Sequence, residues 1–183
     1  MLPDLRVRQR DYLSEILRAL TQELDLDILL ERTLKISIEM LAGQAGLIIL
    51  RGENGGWQMQ SSIGISPTFT NEIAPLLKEI PDSEEPAQFE IPEVNRILGK
   101  FTFTTSLGLL SGVGLPMVTQ KRVVGLIFIF RGYPGMFSNN DRNVLNSFAS
   151  QAAVAVRNAQ LYTTVTMNKQ RLDAILDSAA DGI

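Results

Sequence analysis

From Ser138 to Ile183 the chain contains no proline, and its only glycine there is Gly182. Nothing in that stretch ends a helix once one has begun. Ser138 is a good N-cap, and Asp141 follows three residues on. At that spacing the two side chains can each satisfy the other residue's backbone N–H, with Asp in the place usually held by Glu. A helix of roughly forty residues spans about 60 Å, whereas a compact domain of about 150 residues has a radius of gyration of about 15 Å. The helix is therefore predicted to project, and a projecting helix with an apolar seam needs a partner.

Val154, Asn158, Leu161, Val165, Asn168, Leu172, Ile175 and Ala179 recur at alternating steps of four and three. This is the seam of a left-handed coiled coil. Leu145, Phe148, Ala152 and Ala155 fall mostly on another side, expected to face the sheet. Asn158 and Asn168 interrupt the seam. Buried, they fix register and parallel pairing at a cost in stability; exposed, they mark helices that splay, and both readings stay open. Leu13, Leu17, Leu20 and Leu24 form a second narrow stripe on a helix predicted over 7–23. Packed beside the terminal helix, it would complete a four-helix bundle in a parallel homodimer.

With 183 residues there is material for one domain plus appendages. The net charge of −3 gives no basis for binding nucleic acid. The acidic excess lies over 72–93 among Pro75, Pro81, Pro86 and Pro92, a solvated loop or a docking surface for a basic partner. The absence of cysteine removes disulfides, thiol nucleophiles, thiolate metal sites and thioether-linked chromophores. The absence of histidine removes the commonest general base and the usual haem ligand. No metal site or cofactor is identified. The longest apolar run, 123–130, is far short of the roughly eighteen residues of a membrane span, and no apolar core follows the N-terminal arginines. The expected location is cytoplasmic, as a free protein or as the cytoplasmic part of a larger receptor, without membrane insertion.

Asp25 can cap a second helix that Ala42-Gly43 stops near Leu41. Strands are predicted over 45–51 and 57–63 around the turn Asn54-Gly55, and over 111–119 and 123–130 around the turn 120–122. Short helices over 69–80 and 93–98 are expected in the irregular middle. Tight turns force antiparallel pairing, and fully apolar strands imply cover on both faces. The expected fold is α+β, a central antiparallel sheet with helices on one side and the middle segment on the other.

The pattern resembles the GAF domain family. The match is strongest in Gly114-Leu115-Pro116-Met117, Arg122-Val123-Val124-Gly125-Leu126-Ile127 and Phe137-Ser138 with Asp141. It continues through Ala149, Gln151-Ala152-Ala153-Val154-Ala155-Val156, Asn158-Ala159 and Leu161-Tyr162, and residues 25–43 look like the family's first core helix. Arg171-Leu172-Asp173-Ala174-Ile175-Leu176-Asp177-Ser178 and the residues after it resemble the opening of a PAS domain. The implied organisation is an N-terminal helix over 1–24, a GAF-like domain over 25–162, and a connector running into a truncated PAS-like start over 163–183.

The resemblance implies five or six strands, helices on one face and loops enclosing a small-molecule pocket on the other. It implies a non-catalytic sensory module, as in the sensor kinases of two-component systems, acting on a downstream PAS or kinase-like domain of the same chain. The cyclic-nucleotide motif of some members is absent; Asn71-Glu72 and Asn95-Arg96 are fragments at most. Covalent bilin attachment and the sulfoxide-reductase branch need cysteine, and His-ligated haem needs histidine, so these are excluded. Gly112 and Gly114 open a strand rather than a helix, which argues against an anion loop. Thr102, Thr104, Thr105 and Ser106 have no base to activate them. By position in the family fold, the pocket walls are Ile63, Phe89, Phe103, Val113, Leu115 and Phe128, with Asn95, Thr105 and Ser111 as the polar minority. The same residues would also make a plain core. A ligand-free dimerising spacer is the alternative to a sensor, and an enzyme using only Asp and Glu is a third class with little support.

Overall fold

The computed structural model describes residues 26–52, 55–65, 71, 75–89, 100, 109 and 111–180; of these, the side chains of 173 and 176–180 are left aside. The predicted helix over 7–23, the helix over 93–98 and the Thr-rich segment over 102–106 lie outside the described residues. Of the helix expected over 69–80, residues 71 and 75–77 are helical.

Helix α1 (Leu26–Met40) buries Leu29, Leu30, Thr33, Leu34 and Ser37 along one stripe, widened by Ile36 and Ile38. Ser37 Oγ donates to the Thr33 carbonyl at 2.8 Å, which satisfies a hydroxyl that no water reaches. The helix ends in a Schellman turn. Gly43 N–H donates to Ile38 O at 2.8 Å and Ala42 N–H to Glu39 O at 3.3 Å. The left-handed residue of this turn is Ala42, φ 49°, rather than the glycine beside it.

Strands β1 (Ala45–Arg51), β2 (Trp57–Ile63), β3 (Ser111–Thr119) and β4 (Arg122–Arg131) form one antiparallel sheet in the order β2-β1-β4-β3. The central pair is buried along nearly its whole length, whereas edge strand β2 alternates. The β3–β4 turn is Gln120-Lys121, both at positive φ (50° and 64°), the geometry of a two-residue hairpin. Gly46 lets α1 lie close on β1, because a Cβ there would stand 2.8 Å from the Phe128 carbonyl oxygen and 2.9 Å from Leu34 Cδ1.

The five or six strands expected reduce to four among the described residues. Between β2 and β3, the described residues include the helical stretch at 75–77, an irregular loop over 81–85 and a 3₁₀ turn (Pro86–Phe89). Pro81 and Pro86 lack the N–H a ladder needs. This segment is held by individual bonds instead. Trp57 Nε1 donates to Pro81 O at 2.9 Å, Val123 N–H donates to Glu84 O at 2.9 Å, and Arg51 and Arg122 pair with Asp82 and Glu84 at 2.8 and 3.0 Å.

Helix α2 (Asn139–Ala180) has 42 residues, a length of about 63 Å. Its first five turns bury Val144, Leu145, Phe148, Ala149, Ala152, Ala153 and Val156 against the sheet and α1. Beyond Arg157 every described side chain except half-buried Ala159 and Thr166 is exposed. The sheet thus has one face under α1 and α2 and the other under Leu77, Ile80, Phe89 and Leu109.

Candidate functional site

On the loop-covered face, Phe89 is buried and meets Trp57 edge to face, with centroids 5.6 Å apart and planes at 82°. Phe128 is fully buried in the same cluster, beside Leu47, Ile49 and Phe130. These two predicted wall residues share a face. Ile63, Val113 and Leu115 do not join them, because all three pack in the cluster under the helices. The register gives the reason. Val113 lies opposite Ile129 and Leu115 opposite Ile127. Directly paired residues of an antiparallel ladder share a face, and Phe128 points the other way. Ser111, at the start of β3, donates its hydroxyl to the Tyr133 carbonyl at 3.2 Å, a bond that ties the β4–α2 loop to the sheet. Asn95, Phe103 and Thr105 lie outside the described residues.

The seam residues of α2 form one exposed stripe. Val154, Leu161, Val165, Leu172 and Ile175 are 51, 45, 65, 60 and 53% exposed, and Asn158 and Asn168 are exposed between them. Leu145, Phe148 and Ala152 are buried on the opposite side and Ala155 is half-buried. Up to Val156 the helix therefore uses one side for its own domain, and beyond Arg157 it leaves the domain with the seam and almost every other described side chain exposed. Leu13, Leu17 and Leu20 lie outside the described residues.

The base of α2 is fastened by groups of which only Ser138 and Asp141 stood out in the sequence. Ser138 N–H donates to Asp141 Oδ2 at 2.9 Å, and Asp141 N–H to Ser138 Oγ at 3.1 Å, a reciprocal capping box. Arg131, the last residue of β4, is 8% exposed. Its Nε donates to the Leu41 carbonyl at 2.8 Å, its Nη2 donates to the same oxygen, and Nη2 lies 3.3 Å from Asp141 Oδ2. The guanidinium carbon sits 3.8 Å from the Phe137 ring centroid and 5.5 Å from that of Tyr133. One side chain thus joins the end of α1, the end of β4 and the start of α2. The available sequence signal was an arginine closing a strand that is otherwise almost wholly apolar.

An open cleft of about 1110 Å³ runs beside the seam, between Leu26 of α1, Gln120 of the β3–β4 turn, Arg51 and Arg122 of the sheet, and Arg157 and Tyr162 of α2. None of the predicted pocket residues among the described residues lines it. Among the described residues no group of acidic side chains could hold a metal ion, and no helix is long and apolar enough to cross a membrane.

The GAF domain model matches residues 25–156, from α1 through the buried half of α2. No curated protein matches the sequence significantly. Among solved structures, the chain is similar to the GAF domain of a sensor histidine kinase from Pseudomonas syringae pv. tomato, at 16% identity and a TM-score of 0.64 over 89% of this chain and 94% of that one. It is also similar to the GAF domain of an Acinetobacter phosphoenolpyruvate-protein phosphotransferase, at 17% identity and a TM-score of 0.59 over 84% and 95% of the two chains. A phycoerythrobilin-bound GAF domain from a cyanobacterial phytochrome matches at 17% identity and a TM-score of 0.59 over 85% and 97%. At these identities the likeness speaks for the fold, and the family match over most of the chain carries the assignment: the chain belongs to the GAF domain family.

Proposed function

We propose that this chain is the non-catalytic sensory module of a longer cytoplasmic signalling protein. It binds a small molecule on its loop-covered face and acts through pairing of α2 with a second copy. The observation that carries this reading is the exposed apolar stripe from Val154 to Ile175 on a helix that is rooted in the domain only by its first half, through Val156. A GAF domain of a sensor histidine kinase shares the fold, and α2 points toward a downstream PAS-like or kinase-like domain of the same chain. A change on the loop-covered face reaches β4 through Phe128. It reaches α2 through Arg131, which contacts both helices at the end of that strand. Such a ligand shifts the pairing equilibrium only by its differential affinity for the two states.

A second reading, a ligand-free dimerising spacer, is favoured by the closed packing of Phe89, Trp57 and Phe128 on that face. In either case no thiol is available to tether a bilin, unlike in covalent pigment-binding relatives.

Native mass spectrometry of the chain at low micromolar concentration separates the readings. A dimer carrying a discrete extra mass supports the sensor. A dimer of apoprotein mass that gains none from a metabolite extract supports the spacer. A monomer overturns the pairing on which both depend.

A further inference from the structure

We propose that the second copy lies parallel and in register on the α2 seam, with Arg157 of each chain stacking on the partner subunit's Tyr162. This rests on the paired-helix reading above and adds the contact that selects its orientation.

Asn158, Val165 and Leu172 occupy a positions of the heptad, and Val154, Leu161, Asn168 and Ile175 occupy d positions. The flanking g positions then hold Arg157, Thr164 and Arg171, and the e positions hold Ala155, Tyr162 and Lys169. Between 154 and 180 the only acidic residues are Asp173 and Asp177, at b and f, away from both flanks. Arg157 is half-buried at the root of the projecting helix and forms no ion pair among the described residues. Tyr162 is 66% exposed, and both side chains line the cleft beside the seam.

Three pairings of this seam compete. In the parallel in-register pair, each asparagine meets its own counterpart, and each g position faces the e position five residues on in the other chain. Arg157 then faces the partner's Tyr162, and Thr164 faces the partner's Lys169, with no like charges opposed. One reversed register also matches amides, setting Asn158 against the partner's Asn168. In reversed pairs g faces g, so Arg157 meets the partner's Arg171, twice by symmetry. The other reversed register sets Leu161 against the partner's Leu172. It leaves Asn158 against the partner's Ile175 and Asn168 against the partner's Val165, amides buried on aliphatic groups without hydrogen bonds. Only the parallel pair satisfies amides and charges together. It also delivers both C-terminal ends of α2 to the same place.

The chain has no cysteine, so single introduced cysteines report the geometry in the full chain. Under a mild oxidant, Leu161→Cys should cross-link to itself. A mixture of Leu161→Cys and Val165→Cys should yield like-with-like bonds rather than the unlike bond of the amide-matched reversed register. Arg157→Ala and Tyr162→Ala should each weaken dimerisation by roughly five- to thirtyfold, and the double variant no further. Arg157→Glu, which would attract Arg171 in the reversed pair, should raise the unlike cross-link. A dimer dominated by the unlike cross-link in the Arg157 background overturns the orientation. A dimer indifferent to Arg157→Ala and Tyr162→Ala overturns the contact while leaving the paired helix standing. A monomer by sedimentation overturns the pairing and the contact with it.

Discussion

The Arg131 guanidinium and the Asp141 carboxylate lie 3.3 Å apart at the point where β4 hands over to α2, with only 9 and 24% of the two side chains exposed. The same guanidinium donates twice to the Leu41 carbonyl at the end of α1. Asp141 also holds the Ser138 N–H. The end of the sheet, the end of one helix and the start of the other therefore share one small polar cluster in an apolar setting. A buried charge is tolerated only when it is paired and hydrogen-bonded, so this junction has little freedom to slide.

Replacing Arg131 with Met should cost about 2–3 kcal/mol, because the Leu41 carbonyl loses its donor and Asp141 its counter-charge. The check is a urea-unfolding midpoint. A loss below about 0.5 kcal/mol, the scale of an ordinary surface change, would show that the cluster does not fasten the junction.

Ser138→Ala should cost about 1 kcal/mol by removing one half of the capping box. Hydrogen exchange should rise at the amide of Asp141, whose N–H donates to Ser138 Oγ. Unchanged protection there would contradict the assigned cap.

Ala42→Gly should stabilise the chain by about 1 kcal/mol. The residue sits at φ 49° in a Schellman turn, where an L side chain is strained and glycine is not. A lower melting temperature for this variant would mean that α1 does not end as described.

Phe89→Ala should cost about 3 kcal/mol, the usual scale for truncating a buried aromatic ring. If the loop-covered face is a ligand site, the variant should also bind or lose an added mass differently from the parent. If it is plain core, only stability should change, and titration calorimetry against any ligand found separates the two outcomes.

The triple variant Leu161→Asp, Leu172→Asp and Ile175→Asp should be monomeric in sedimentation while keeping the parent's melting temperature to within a few degrees. The three side chains are 45, 60 and 53% exposed. A variant that stays dimeric would place the contact elsewhere.

Much of the frame was legible in local chemistry. The helix predicted after Ser138 begins at Asn139, because its cap is a bond between residues three apart. The four strands found match the predicted bounds to within a residue, since each hairpin is marked by a turn and flanking apolar runs. The projection of α2 was legible because an uninterrupted helix of this length outruns one domain; the pairing of its heptad positions is a proposal. The pocket was not. Val113, Leu115 and Phe128 look alike as apolar strand residues, yet the β3–β4 register puts the first two under the helices and Phe128 under the loops. The strand number also differed, with four among the described residues, where Pro81 and Pro86 break the ladder in the described part of the middle segment.

What the sequence determined by itself was everything set by neighbours within a few residues: the cap of α2, its uninterrupted length, the two hairpins and the heptad stripe. What only the tertiary structure decided was which face each strand residue serves and what Arg131 is for. Leu41 and Arg131 stand 90 residues apart in the chain. No local pattern records that the carbonyl at the end of one helix needs that particular donor. The need arises only when packing removes both groups from water.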